Sequence, residues 1–113
     1  MIDDTRAERA VEYIRDHADE YGEAKAKREY LEEFKKTKKA LLMKEADVNG
    51  YATGVLQERE ALANPEYKEI LDGIQIARAA EESIRWKKVA AELTVDIWRT
   101  QESSKRMQIR SAT

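Results

Sequence analysis

The sequence predicts an all-α protein in which two long helices form an antiparallel, coiled-coil-like hairpin with a short connecting helix. Three observations indicate this class. Ala, Glu, Lys, Arg and Leu dominate two long segments that contain one glycine each. The only proline directly follows an asparagine, which is typical of a helix N-terminus. Charged residues, 39% of the chain, fall into four blocks of alternating sign.

The first long helix is predicted over residues 3–45, where proline is absent and Gly22 is the only glycine. The polar side chains of residues 3–5 can cap its first turn. Apolar residues then recur every three or four positions, which predicts one buried stripe. This stripe comprises Ala7, Val11, Ile14, Ala18, Tyr21, Ala24, Leu31, Phe34 and Leu41. A lone glycine costs about 1 kcal/mol relative to alanine, so a helix can continue through Gly22, straight or kinked.

Residues 46–63 are predicted to form a turn and a short helix. Asn49-Gly50 tolerates the positive φ of a turn, and residues 55–63 can form one short helical segment. Asn64-Pro65-Glu66 then combines a capping side chain, a proline for the first helical turn and an acidic neighbour. The second long helix is therefore predicted over residues 65–109, with Gly73 as a possible kink, and residues 1–113 form a single helical domain.

The charge blocks favour an antiparallel arrangement. Residues 1–24 contain 3 basic and 8 acidic residues, net −5, and residues 25–45 contain 8 and 4, net +4. Residues 46–83 again have a net charge of −5, and residues 84–113 a net charge of +4. Antiparallel helices place blocks of opposite charge side by side, whereas parallel helices would place blocks of the same charge side by side. The pattern fits a hairpin within one chain and also an exchange between two chains.

The segment from Ile84 to Trp98 has apolar residues on two sides of a helix. One face comprises Ile84, Ala91, Val95 and Trp98, and another comprises Trp86, Ala90, Leu93 and Ile97. One face can meet the first helix, and a second chain can bury the other, which predicts a four-helix bundle formed by a homodimer or a higher oligomer. Alternatively, residues 55–63 cover the second face, or Trp86 stays partly exposed. The predicted self-association or partner interface is Ile84, Trp86, Ala90, Leu93, Ile97, Trp98 and Arg99.

Trp98-Arg99 has two interpretations. Tryptophan and arginine are frequent in the residues that dominate binding interfaces, so the pair can anchor a protein partner. It can equally be a core tryptophan followed by a surface arginine.

Two lysine clusters permit a nucleic-acid-binding function. The possible phosphate contacts are Lys35, Lys36, Lys38, Lys39, Lys87 and Lys88, within the basic blocks 25–45 and 84–113. The alternative is that these lysines form a solvated face or complement a neighbouring acidic helix. A pI of about 5.6 gives no overall attraction to nucleic acid.

No set of residues indicates catalysis, a metal or a cofactor. The chain lacks cysteine, glycine-rich phosphate loops and long apolar runs, so we expect a cytoplasmic protein without a membrane segment. His17, the only histidine, lies in an acidic stretch without the Glu-x-x-His pairs of di-iron bundles. A non-enzymatic function is therefore predicted, and an enzyme with a carboxylate metal site is the remaining alternative.

Residues 39–101 also resemble a family of small uncharacterised helical proteins of tailed bacteriophages and prophages. The resemblance rests on Ala40-Leu41-Leu42-Met43-Lys44-Glu45, Glu58-Arg59-Glu60-Ala61, Pro65-Glu66-Tyr67, Glu81-Glu82, Arg85-Trp86 and Trp98-Arg99-Thr100-Gln101. Members of the family tend to be encoded near single-strand annealing and other recombination functions. The resemblance implies an accessory protein in phage DNA recombination or replication, in the cytoplasm of an infected or lysogenic bacterium. It implies no catalytic residues.

Overall fold

The computed structural model describes residues 1–112, which form three α-helices and no strand. They are α1 (Asp4–Val48), α2 (Gly54–Ala63) and α3 (Pro65–Ala112). The predicted all-α class, with two long helices and a short one between them, is confirmed. α1 ends three residues later than predicted, and α3 is helical beyond its predicted end at residue 109, as far as Ala112, the last residue described. α1 continues through Gly22 and α3 through Gly73.

The helices begin at the capping residues that the sequence indicates. Asp3 accepts a hydrogen bond from the Arg6 amide at 2.8 Å at the start of α1, and Thr53 accepts one from Leu56 at 3.2 Å before α2. Asn64 accepts from the Glu66 amide at 2.9 Å, directly before Pro65 opens α3. Each contact satisfies an amide that has no partner within its own helix.

α1 ends at the Asn-Gly turn through a pair of backbone hydrogen bonds. The Gly50 amide donates to the Asp47 carbonyl and the Tyr51 amide to the Ala46 carbonyl, both at 3.1 Å. This pairing is the Schellman motif, which requires a left-handed residue after the helix. Gly50 supplies it with φ of 101°, because glycine has no side chain to clash in that region.

The contacts of the chain form two compact units. The terminal unit combines Met1–Gly22 with α3 from Glu82 onward, and the central unit is Glu23–Glu81. The boundaries of these units nearly coincide with the predicted charge blocks. The sequence predicts that residues 1–113 form a single domain, and this stays a prediction.

In the terminal unit, α1 and α3 pack in opposite directions within one chain. The Ile2 amide donates to Gln101 Oε1 at 3.1 Å, and the Lys88 ammonium lies 5.3 Å from the centre of the Tyr21 ring, farther along both helices. The buried apolar residues of this unit are Ala7, Ala10, Ile84 and Ala91. Burial of Ile84 and Ala91 agrees with the face predicted to meet the first helix.

In the central unit, the basic part of α1 lies beside acidic residues of α2 and α3, as the charge blocks predict. Lys39 Nζ is 2.8 Å from Glu58 Oε1 on α2, and Lys38 Nζ is 3.3 Å from Glu66 Oε2 on α3. The buried apolar residues here are Leu42, Ala46, Ala61, Ile74 and Ala77. Alanine predominates in both units, and its small side chain allows helix backbones to approach closely.

Candidate interaction surface

The two apolar faces of α3 in the terminal unit have different environments. On the inner face, Ile84 and Ala91 are buried against α1, and Val95 and Trp98 are partly buried. The outer face comprises Trp86, Ala90, Leu93 and Ile97 and is exposed. Its large side chains are 59% (Trp86), 55% (Leu93) and 49% (Ile97) accessible to solvent. One face of α3 is therefore covered within the chain and the other is open.

The outer face points away from α1. Each outer-face residue lies two positions after an inner-face position, as Trp86 does after Ile84 and Leu93 after Ala91. A residue advances about 100° around a helix, so this offset corresponds to about 200°. An element that covers the outer face therefore lies on the opposite side of α3 from α1.

The edges of the outer face carry charges of opposite sign. Glu82 and Asp96 lie along one edge and Lys87 along the other. Arg85 is 2.8 Å from Glu82 and holds its guanidinium 4.7 Å from the centre of the Trp86 ring. This cation–π contact covers part of Trp86 and still leaves most of the indole in solvent.

Trp98 and Arg99 fall on different surfaces. Trp98 Nε1 donates to Asp4 Oδ1 at 2.8 Å, so this tryptophan joins α3 to the start of α1. It borders an open groove of about 480 Å³ whose α1 side carries Asp4, Glu8 and Glu12. Arg99 is exposed at the rim of this groove. The seven residues of the predicted interface thus separate into the outer face, the buried Ile84, and the two groove residues.

The candidate nucleic-acid contacts are divided between the units and are mostly paired with carboxylates. Lys38 and Lys39 contact Glu66 and Glu58, as described above. Lys36 Nζ lies 3.3 Å from Glu33, and Lys88 Nζ lies 3.9 Å from Glu92. Lys35 and Lys87 have no such pair among the contacts described for residues 1–112. The pairing supports the interpretation of these lysines as complements of neighbouring acidic residues.

A charge cluster in the central unit is the feature that the sequence analysis missed. Arg28 forms a two-pronged contact with Glu81, and Arg78 Nη2 donates to Glu32 Oε1 at 2.6 Å. The hydrogen bond with Glu81 raises the pKa of Arg28 above its ordinary value. The hydrogen bond from Arg78 lowers the pKa of Glu32, and that with Glu58 raises the pKa of Lys39.

Glu81 is only 7% exposed, whereas its neighbour Glu82 is exposed and contacts Arg85 on the surface. Glu81 lies four residues after Ala77 and three before Ile84, so it continues the buried stripe of α3 and must find its partner on α1. That spacing is the sequence feature that distinguishes the two glutamates.

His17 stacks on Tyr13 with ring centres 4.0 Å apart, and its Nδ1 lies 2.9 Å from the Tyr13 carbonyl oxygen. Within residues 1–112, no group of three or more histidine, aspartate or glutamate residues is arranged to hold a metal ion. No helix in that range combines the length and apolar character needed to cross a membrane.

No family model, curated protein or solved structure matches the chain. The resemblance to helical phage proteins therefore stays a prediction.

Proposed function

We propose that this chain is a non-enzymatic interaction protein that assembles with a second copy of itself through the outer face of α3. The observation that carries the proposal is the exposure of Trp86, Leu93 and Ile97 on one contiguous face. Aromatic and large aliphatic side chains that share an exposed patch are typical of protein interaction sites. Such a dimer brings together four long helices, two from each chain, as the sequence predicts, but they do not form the predicted bundle around one shared core.

The position of the outer face favours a particular contact in this dimer. Because the inner and outer faces lie on nearly opposite sides of α3, a second copy placed on the outer face does not need to contact α1. The two α3 helices then pack directly on each other. This contact covers the apolar side chains of both copies without opening the intrachain packing around Ile84 and Ala91.

Dimerisation also doubles any further binding site on the chain. The open groove beside Trp98 occurs once per chain, so a dimer presents two such grooves. Two linked sites bind a bivalent partner more tightly than one, because the second contact forms within the complex. We propose that the protein is an adaptor of this kind, with a role in phage DNA recombination or replication as the family resemblance implies.

The titratable groups with shifted pKa values all lie in ion pairs. Arg28, Glu32 and Lys39 have shifted pKa values, and each is engaged by an oppositely charged side chain. Shifted groups in ion pairs are typical of structural contacts as well as of active sites. The alternative function, nucleic-acid binding, stays a prediction. Most of its candidate lysines are paired with carboxylates, so they offer less free positive charge than the sequence suggests.

Hydroxyl-radical footprinting at increasing protein concentration tests the proposal. We expect oxidation of Trp86 to decrease as the protein associates, because the second copy covers its ring. Tyr30 provides the matched control, since it is 65% exposed on α1 and lies outside the proposed interface. Equal oxidation of Trp86 at low and high concentration would contradict the proposal.

A further inference from the structure

A stripe of buried and partly buried residues runs along each long helix at alternating steps of three and four positions. This is the spacing of the core positions in a coiled coil. On α1 the stripe comprises positions 7, 10, 14, 17, 21, 24, 28, 31, 35, 38 and 42. On α3 it comprises positions 67, 70, 74, 77, 81, 84, 88, 91, 95 and 98. A displacement of one helix by seven residues therefore places core positions on core positions again.

The apolar core of the central unit does little to distinguish such registers. Its buried residues include Ala46, Ala61 and Ala77, whose short side chains offer few ridges to interlock with the other helix. A displacement of α3 by seven residues puts Ile70 or Ile84 in the place of Ala77, so an apolar side chain fills that position in each case. Apolar packing alone is therefore compatible with several registers.

A pair of opposite charges lies within these two stripes. Glu81 is the one charged residue among residues 1–112 that is buried, and it faces Arg28, whose side chain is 22% exposed. Arg28 Nη2 donates to Glu81 Oε1 at 3.1 Å, and Arg28 Nε donates to the other carboxylate oxygen. Arg28 Nη1 also donates to Glu32 at 3.1 Å, and Glu32 accepts from Arg78 on α3. These four side chains form a network of alternating charge across the two helices.

We propose that this network selects the register of α1 and α3 in the central unit, with the buried Arg28–Glu81 pair as its main contact. A buried charge that loses its partner is strongly unfavourable, whereas apolar residues of similar size can replace a complete buried ion pair with little loss of stability. Polar residues at core positions fix the register of coiled coils at a cost in stability. The pair therefore contributes selectivity among registers, and this inference is independent of the proposed self-association.

Displacement of α3 by seven residues in one direction brings like charges together. Both arginines of the network then face lysines, while both glutamates face new cations. The opposed pairs become Arg28 with Lys88, Arg78 with Lys39, Glu81 with Lys35, and Glu32 with Arg85. In the observed register, by contrast, the two arginines contact only glutamates. Two repulsive contacts disfavour the displaced register, most strongly at Arg28, which is the least exposed of the cations involved.

Displacement in the other direction leaves the network without partners across the helix pair. Each charge then faces an uncharged residue or a charge of its own sign. The opposed pairs become Arg28 with Ile74, Glu81 with Tyr21, Glu32 with Leu71, and Arg78 with Lys25. No contact of opposite charge joins the two helices at these positions, so the buried carboxylate of Glu81 loses its cation. The observed register is the one that satisfies all four charges.

Spin-label distances measure the register, and the chain contains no natural cysteine to compete for the label. Labels at Lys44→Cys on α1 and Ala80→Cys on α3 occupy exposed positions of the central unit. Counted from the level of Arg28 and Glu81, the two positions lie about 22 Å apart along the helix axes, at about 1.5 Å per residue. A displacement by seven residues changes this separation to about 12 or 33 Å. An excess of unlabelled protein keeps distances between chains out of the measurement.

The decisive variant combines Arg28→Met with Glu81→Met, which replaces the pair by apolar side chains of similar length. We expect a second distance population whose axial separation differs by about 10 Å, together with a urea midpoint no lower than that of the wild type. The matched control combines Lys36→Met with Glu33→Met, because these residues form an exposed ion pair within α1. The control should keep the single distance of the wild type.

Two results would overturn the inference. If the Arg28→Met, Glu81→Met variant keeps the single wild-type distance, other contacts select the register. If its urea midpoint falls clearly below that of the wild type, the pair stabilises the fold instead of selecting among registers.

Discussion

A single substitution on the outer face of α3 provides a quantitative test of its role. Leu93 is 55% exposed in the chain and is covered by the second copy in the proposed dimer. Complete burial of a leucine side chain contributes about 1.5–3 kcal/mol, so burial of the exposed half contributes about 1 kcal/mol. The two-fold interface repeats the contact, which makes the contribution about 2 kcal/mol per dimer.

Leu93→Glu removes this contribution and places a carboxylate beside apolar side chains in each copy. That placement costs at least about 1 kcal/mol per copy more. The total of about 4 kcal/mol corresponds to weaker dimerisation on the order of a thousandfold, at about 1.4 kcal/mol per factor of ten. The isolated chain should change little in stability, within about 0.5 kcal/mol, because position 93 is exposed there.

Sedimentation velocity over a wide concentration range measures this effect, and urea unfolding measures the stability of the chain. Leu41→Glu is the matched control, because Leu41 lies outside the proposed interface and is 54% exposed on α1, contrary to its predicted place in the buried stripe. We expect this control to associate like the wild type. If Leu93→Glu and Leu41→Glu associate with the same affinity, the assignment of the outer face is refuted.

Three further predictions concern the packing of the chain. Since Arg78 lowers the pKa of Glu32 from 4.5, ionised Glu32 stabilises the fold above that pH and loses this effect as pH falls through its folded value. The urea midpoint of Glu32→Gln should therefore lie below that of wild type at neutral pH and converge with it below pH 4.5, whereas a constant difference would contradict the assignment. Gly22→Ala should raise the free energy of unfolding by about 1 kcal/mol, since an added Cβ meets no atom within 4 Å. Gly50→Ala should lower the free energy of unfolding, because Gly50 has a φ of 101°. The opposite order of their melting temperatures would refute this backbone interpretation. Ile84→Ala should cost about 2–3 kcal/mol in urea unfolding through lost burial and a cavity, and a cost below about 0.5 kcal/mol would contradict its place in the core.

Local sequence features were sufficient to predict the helices. Backbone preferences and short-range hydrogen bonds determine the helix start at Asn64-Pro65-Glu66, the turn at Asn49-Gly50 and the two long helical segments. The ends of the long helices were harder to predict. Val48 has no strong preference, so the hydrogen bonds of the Schellman turn determine where α1 stops.

Part of the candidate surface could also be predicted from the sequence. Helical spacing separated the face containing Ile84 from the face containing Trp86, and the structure leaves the second one exposed. The buried role of Glu81 was missed, although its spacing from Ala77 and Ile84 separates it from Glu82. Their environments depend on the phase of α3 relative to α1, because one carboxylate meets Arg28 across the helix pair and the other stays on the surface. Long-range packing of this kind is set by both helices together.

The solution mass of the wild-type protein tests the central proposal most directly. Light scattering behind a sizing column measures this mass independently of molecular shape. The proposed assembly predicts twice the chain mass of 13.1 kDa, falling toward the single-chain value on dilution. A mass of 13.1 kDa at every accessible concentration would contradict it, because the outer face of α3 would then remain exposed to solvent.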